Sequence, residues 1–243
     1  MAILRTIVWF LYFFGSLVVL LPCMFRAKRL RREGKLEQSR EIVFRRVNRW
    51  MSTLMKLAGC RVEAEGLENI PKDRSVVFVC NHQGDYDVPV TMTALGDPPA
   101  MVAKIETRKI PMVKTWMELL DCIFIDREDP RQALTAMKGA GEILASGRNI
   151  LVFPEGTRSR GDAMNPFKTG VFKIPFGAGA PIVPVVIDGT YKIMEANHNL
   201  MCPGTVRLKV LPPIETAGLS RMEQKALPDQ IAEQIRLAKD GKK

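Results

Sequence analysis

The chain has 243 residues, 47% of them hydrophobic, which allows one domain with a sizeable core, or one domain with an appendage. Its formal net charge is +10, but residues 1–50 hold eleven Lys/Arg against three Glu, so eight of those charges sit near the N-terminus. That local patch, with no base-reading motif anywhere, argues against a nucleic-acid partner, and five scattered cysteines without C-x-x-C spacing and only two histidines argue against a disulfide framework, a zinc site or any histidine-rich metal site.

Thr6 to Phe25 runs twenty residues without a charge, long enough to span or deeply enter a bilayer. Trp9 and Tyr12 suit an interface, and Arg26, Lys28, Arg29, Arg31 and Arg32 follow at once, which places the rest of the chain on the cytoplasmic side. A cleaved signal peptide would have a shorter apolar region, with its basic residues in front. Leu36 to Leu57 reads as a second helix, with Val43, Val47, Trp50, Met51 and Leu54 on one apolar face and Arg40, Arg45, Arg46 and Arg49 around it. Such a helix either lies on anionic lipid or docks its apolar face on the domain and leaves its arginines solvated. Residues 1–58 therefore read as a membrane-anchoring helix plus a basic amphipathic helix, and residues 59–243 as the main domain.

From Cys60 onward strands and helices alternate, the pattern of an α/β fold with a mostly parallel sheet flanked by helices. The strand candidates are Arg61–Ala64, Val76–Cys80, Ala100–Ala103, Cys122–Ile125, Asn149–Phe153, Ile182–Ile187 and Val206–Leu211. Pro130 opens a helix over Arg131–Ala145 and Gly147 closes it. A helix near Arg108–Leu120 contains Pro111, expected at a start or kink, and a last helix over Ser220–Lys239 is expected to be interrupted at Pro228.

Three apolar runs break abruptly into polar groups. Val76–Cys80 gives way to Asn81-His82-Gln83-Gly84-Asp85-Tyr86-Asp87. Five residues apart on one helix, His82 and Asp87 would lie about 140° away from a shared face. They meet if His82 leaves a strand end and Asp87 opens the next helix, as Pro89 suggests. A carboxylate on one ring nitrogen would fix the histidine tautomer and leave the other nitrogen free to take a proton. The second run stops at Asp126-Arg127, and the third at Pro154-Glu155-Gly156-Thr157-Arg158-Ser159-Arg160. In a parallel sheet these carboxyl ends share one edge, where ligands bind. Arg127 and Arg158 suit a phosphate or carboxylate, and Gly156 permits a tight turn toward it.

NHQGDYD, FIDR at Phe124–Arg127, FPEGTRS at Phe153–Ser159 and Val183-Pro184-Val185 match, in order and spacing, the four blocks of the glycerolipid acyltransferase family. Over about Val62 to Leu211 the chain resembles the 1-acyl-sn-glycerol-3-phosphate acyltransferases in particular. Two departures stand out: Gly84 where many members have Ser, and Asp121-Cys122 where Gly-Asn is common. The resemblance implies transfer of an acyl group from acyl-CoA or acyl-carrier protein, as co-substrate and with no cofactor, to the 2-hydroxyl of lysophosphatidic acid, giving phosphatidic acid. It implies His82 as general base oriented by Asp87, with Arg127, Glu155, Gly156, Thr157 and Arg158 forming the glycerol-phosphate site. Lys104, after the Ala100–Ala103 strand, would support the oxyanion. The implied partners are lysophosphatidic acid, the acyl thioester, anionic membrane lipids and acyl-carrier protein, at the cytoplasmic face of a cell membrane, such as a bacterial inner membrane. The rivals are an acyltransferase for glycerol 3-phosphate or another lysophospholipid, and a membrane-anchored lipid-phosphate-binding protein without chemistry. The absent G-x-S-x-G elbow, Walker A loop and G-x-G-x-x-G speak against a serine nucleophile, nucleotide hydrolysis and dinucleotide redox chemistry.

Overall fold

The structure, a computed structural model, describes residues 1–126 and 129–241. Helix α1 (Ala2–Val19) gives way at Leu20 to α2 (Leu21–Arg32). Pro22 lies in the first turn of α2, where its missing N–H leaves no intrahelical bond unmade. The apolar stretch from Thr6 to Phe25 is thus divided between two helices. By length and composition α1 is apolar enough to cross a membrane, and Ile3, Leu4, Ile7, Leu11, Phe14 and Val19 are exposed along it.

Helix α3 (Leu36–Ala58) settles where its apolar face goes. Val43, Val47, Trp50 and Leu54 are buried in the same hydrophobic cluster as Phe78 and Val185 of the sheet. The docking arrangement, not an apolar face laid on lipid, is the one observed. Helix α1 is fastened along α3: the Trp9 indole donates to the Leu54 carbonyl at 3.0 Å, the Trp50 indole to Ser16 Oγ at 2.7 Å, and Phe13 stacks on Trp50.

The sheet has seven strands: β1 (Cys60–Glu65), β2 (Val77–Cys80), β3 (Ala100–Lys104), β4 (Ile123–Ile125), β5 (Ile150–Val152), β6 (Ile182–Asp188) and β7 (Gly204–Val210), in the order β1-β7-β6-β2-β5-β3-β4. These match the seven expected strands within two residues at either end. From β6 to β4 the neighbours are parallel; β7 runs antiparallel to β6, and β1 parallel to β7. Alternation along β2 divides the core. Phe78 and Cys80 face α3 and its neighbours α4 (Asp87–Ala94) and α5 (Val113–Leu119), while Val77 and Val79 face α6 (Pro130–Ala145), α7 (Lys173–Ala178) and α8 (Arg221–Lys239).

The prolines behave differently from one another. Pro111 lies in the turn between a 3₁₀ helix (Ile105–Lys109) and α5, just ahead of the Met112 N-cap. Pro228, expected to interrupt the last helix, lies buried inside a continuous α8. The helix is carried through it by tertiary packing, since Leu227, Ile231 and Ile235 are buried against the sheet, and by a capping box in which Ser220 and Glu223 satisfy each other's backbone N–H.

Candidate active site

Strand β2 ends at Cys80, and the next residues make a tight turn into α4, whose first residue is Asp87. His82 Nδ1 lies 2.6 Å from Asp87 Oδ2, so the pair straddles a strand-to-helix junction as expected. The same Oδ2 accepts the N–H groups of Gln83 at 2.7 Å and Gly84 at 3.0 Å, and Oδ1 accepts the Thr190 hydroxyl. A fully buried carboxylate is thereby supplied with donors on both oxygens. The Phe153 ring stacks on the imidazole at 4.1 Å. His82 Nε2 has no hydrogen-bond partner among the described residues, and the side chain keeps 18% exposure, so that nitrogen is the one open to a substrate.

The neighbouring strands hold this turn in place. The Asn81 side-chain amide donates to and accepts from the Ile187 backbone at 2.8 Å each way, tying the end of β2 to β6. Gln83 Oε1 accepts the Gly189 N–H at 2.8 Å. After β5, the chain turns at Gly156 with φ +74, a left-handed conformation that glycine adopts without strain. Ser159 and Arg160 then donate their N–H groups to the carbonyls of His82 and Gln83 at 2.8 and 3.0 Å. Glu155 is buried at the centre: Oε1 accepts the His82 N–H at 2.6 Å and Oε2 the Asn165 N–H at 2.7 Å. Burial pushes the Glu155 carboxyl up, and these two N–H bonds pull it part of the way back. Burial, with the Asp87 and Glu155 carboxylates behind it, also pushes the Cys80 thiol well up, so this neighbour of the histidine stays a thiol and not a nucleophile.

Arg158 reaches the same turn, ion-paired with Asp85 and 3.7 Å from Glu195. His82, Asp87, Glu155 and Arg158 therefore gather at one edge. Thr157 is exposed on the Gly156 turn beside them. Lys104 is exposed at the end of β3 in a 2.7 Å ion pair with Glu106, outside the hydrogen-bonded cluster around His82. Arg127 lies outside the described residues. Asp121 takes a left-handed conformation, φ +61, and draws in Arg31 at 2.8 Å, Arg148 at 3.6 Å and Arg40 at 3.8 Å, binding α2 and α3 to the domain. Two arginines of the basic N-terminal region are thereby structural.

Gln83, Thr190, Asn165 and Glu195 belong to the site without having been read from the sequence. Asp188-Gly189-Thr190, a polar turn straight after an apolar strand, carried the same edge signal as the other blocks. Glu195, seven residues beyond β6, carried none.

The Acyltransferase family model matches residues 61–188, more than half of the chain. A protein of Mycoplasma pneumoniae named a probable 1-acyl-sn-glycerol-3-phosphate acyltransferase is 35% identical over 165 residues, 66% of this chain and 61% of that protein. The first relatives are thus longer, and the chain spans less than two thirds of their length. The 1-acyl-sn-glycerol-3-phosphate acyltransferase of Haemophilus influenzae is 34% identical over 181 residues, 72% of either chain. The crystal structure of PlsC, the 1-acyl-sn-glycerophosphate (LPA) acyltransferase of Thermotoga maritima, superposes with a TM-score of 0.81 at 30% identity, covering 99% of this chain and 97% of that one. With its His82–Asp87 pair and Glu155 block inside the matched span, the chain belongs to the acyltransferase family.

Proposed function

We propose that this protein transfers a fatty acyl group from an acyl thioester, acyl-CoA or acyl-carrier protein, to the 2-hydroxyl of 1-acyl-sn-glycerol 3-phosphate. The observation that carries the reading is the 2.6 Å contact of His82 Nδ1 with a buried, fully hydrogen-bonded Asp87, which leaves Nε2 open at the ligand-binding edge of the sheet. The names of the relatives support the choice of substrates.

In this mechanism Asp87 keeps the proton of His82 on Nδ1, so Nε2 is the base. As the acceptor oxygen attacks the thioester carbonyl carbon, its proton passes to Nε2, and Asp87 stabilises the imidazolium. The tetrahedral intermediate collapses, the carbon–sulfur bond breaks, and the imidazolium returns the proton to the departing sulfur. The thioester brings its own leaving group, so the step draws on no cofactor. Arg158 and Arg127 grip the phosphate, Gly156 and Thr157 form the wall beside it, and Lys104 supports the oxyanion.

The exposed apolar side of helix α1 and the basic region beside it support a location on anionic lipid at the cytoplasmic face of a membrane. The fastening of α1 along α3 supports entry into one leaflet, with the helix staying with the domain. Anionic acyl-carrier protein would be steered by the same charges. Purified protein in phosphatidylglycerol-containing vesicles should convert lysophosphatidic acid faster than glycerol 3-phosphate or neutral lysophospholipids. His82→Ala should lower that rate by about 10²- to 10⁴-fold, the span of general-base catalysis. Near-normal turnover by the variant would sink the mechanism, and a preference for glycerol 3-phosphate would move the assignment to that acceptor.

A further inference from the structure

A glutamate side chain holds each end of the turn that follows His82. At its start Glu155 Oε1 accepts the His82 N–H at 2.6 Å, and at its finish Glu195 Oε1 accepts the Asp85 N–H, also at 2.6 Å. Glu155 belongs to the block after β5. Glu195 stands beyond β6 in a 3₁₀ turn (Glu195–Asn197), and nothing in the chemistry above uses it. Its side chain is only 5% exposed, and Oε2 is buried without a hydrogen-bond partner. Burying a bare carboxylate oxygen costs free energy, which the Asp85 N–H and the Arg158 guanidinium 3.7 Å away offset at Oε1.

Gly84 is fitted to this carboxylate. A Cβ at position 84 would come 2.8 Å from Glu195 Oε2 and 2.9 Å from Oε1. A glutamate end on an open surface would swing clear. Enclosed and fixed at Oε1, this one moves only by leaving the Asp85 N–H. Between the two glutamate-held ends lie the N–H groups of Gln83 and Gly84, which hold Asp87 Oδ2 against His82. We propose that Glu195 is a positioning residue for the His82–Asp87 pair: across the open side of Gly84 it grips the Asp85 N–H and sets the curvature of the turn that presents two N–H groups to Asp87. The proposal rests on His82 acting as general base. Its effect falls on the chemical step, whereas the grip of Arg158 falls on acceptor binding.

The test compares His82→Ala, Arg158→Ala, Glu195→Ala, Glu195→Gln, Gly84→Ala and the Gly84→Ala/Glu195→Ala double variant in phosphatidylglycerol vesicles. Each is assayed with lysophosphatidic acid and acyl-CoA or acyl-carrier protein, whichever the wild type turns over, and its fold is checked by circular dichroism. Glu195→Ala should lower kcat by about 10- to 100-fold, the scale of a misplacement of about 1 Å at a reacting centre. The acceptor KM should move by less than about threefold, while Arg158→Ala raises KM. Glu195→Gln keeps a carbonyl acceptor for the Asp85 N–H and should recover most of kcat. Gly84→Ala should reproduce the loss, and the double variant should be no slower than the slower single, because both substitutions remove one contact. Wild-type kcat in Glu195→Ala, or losses that multiply in the double variant, would overturn the proposal. Should Glu195→Ala not fold, a full-rate Gly84→Ala overturns it alone. Turnover surviving in His82→Ala would instead overturn the parent reading, so the two failures are distinct.

Discussion

At the level of single residues, the buried Asp87 carboxylate shows how the site is held. Among the described residues its Oδ1 has one partner, the Thr190 hydroxyl, and both residues are fully buried. Thr190→Val keeps the shape and strips the donor, leaving a charged acceptor bare. Folding stability should fall by about 1–3 kcal/mol, measured by denaturant unfolding, together with kcat; an unchanged midpoint would mean that water replaces the hydroxyl. Glu155 gives a pH test. Its raised carboxyl holds a proton to higher pH in the folded protein than in the unfolded chain. The stability it contributes is therefore complete below the ordinary carboxylate value of about 4.3 and is lost as pH rises through the raised one. Thermal unfolding of Glu155→Gln should decline less steeply than wild type over that range. Some slope should remain, because burial pushes the Glu195 carboxyl up as well; parallel profiles would count against the assignment. His82 and Asp87 were legible because an apolar strand breaks into ionisable groups within one residue. Thr190 carried the same edge signal without being singled out, and Glu195 carried none, because it acts through a contact 110 residues away in the chain.

Among the elements, the strands were legible almost to the residue, since parallel strands buried on both faces read as continuous apolar runs bounded by polar turns. What helix α3 packs against was not legible. Its 3.6-residue periodicity fixes which side chains share a face but says nothing of whether lipid or protein covers it. The interior of α8 shows a related limit: local chemistry predicts an interruption at Pro228, and burial overrides it. Trp50 is the side chain on which the α1–α3 contact turns, stacked on Phe13 and donating to Ser16. Trp50→Ala should cost about 3–5 kcal/mol, read by chemical unfolding in detergent, and should raise hydrogen exchange in α1 before the sheet. Loss of protection in the sheet first would show that α1 is not held through this residue.

For the molecule as a whole, the N-terminal helices and one face of the sheet share a single hydrophobic cluster, and Asp121 with Arg31, Arg40 and Arg148 fastens its polar margin. Deleting residues 1–58 should therefore fail to release a soluble, folded catalytic fragment. Stripped of α3, the sheet face around Phe78, Val185 and Val206 meets water, and the fragment should aggregate or lose cooperative unfolding. A monomeric, cooperatively folding 59–243 would refute this. The Thr6 hydroxyl also accepts the Met201 N–H at 2.8 Å, so α1 is tied to the domain near its beginning as well as at Ser16. No slack tether separates α1 from the turn that carries His82. Under the proposed entry of α1 into a leaflet, the height of His82 above the bilayer would be a constant of the fold, and the protein would work as a depth gauge. A hydroxyl carried by a lipid at that level would meet the proposed base each time the two drift together, whereas one dissolved in water or sunk deeper would not.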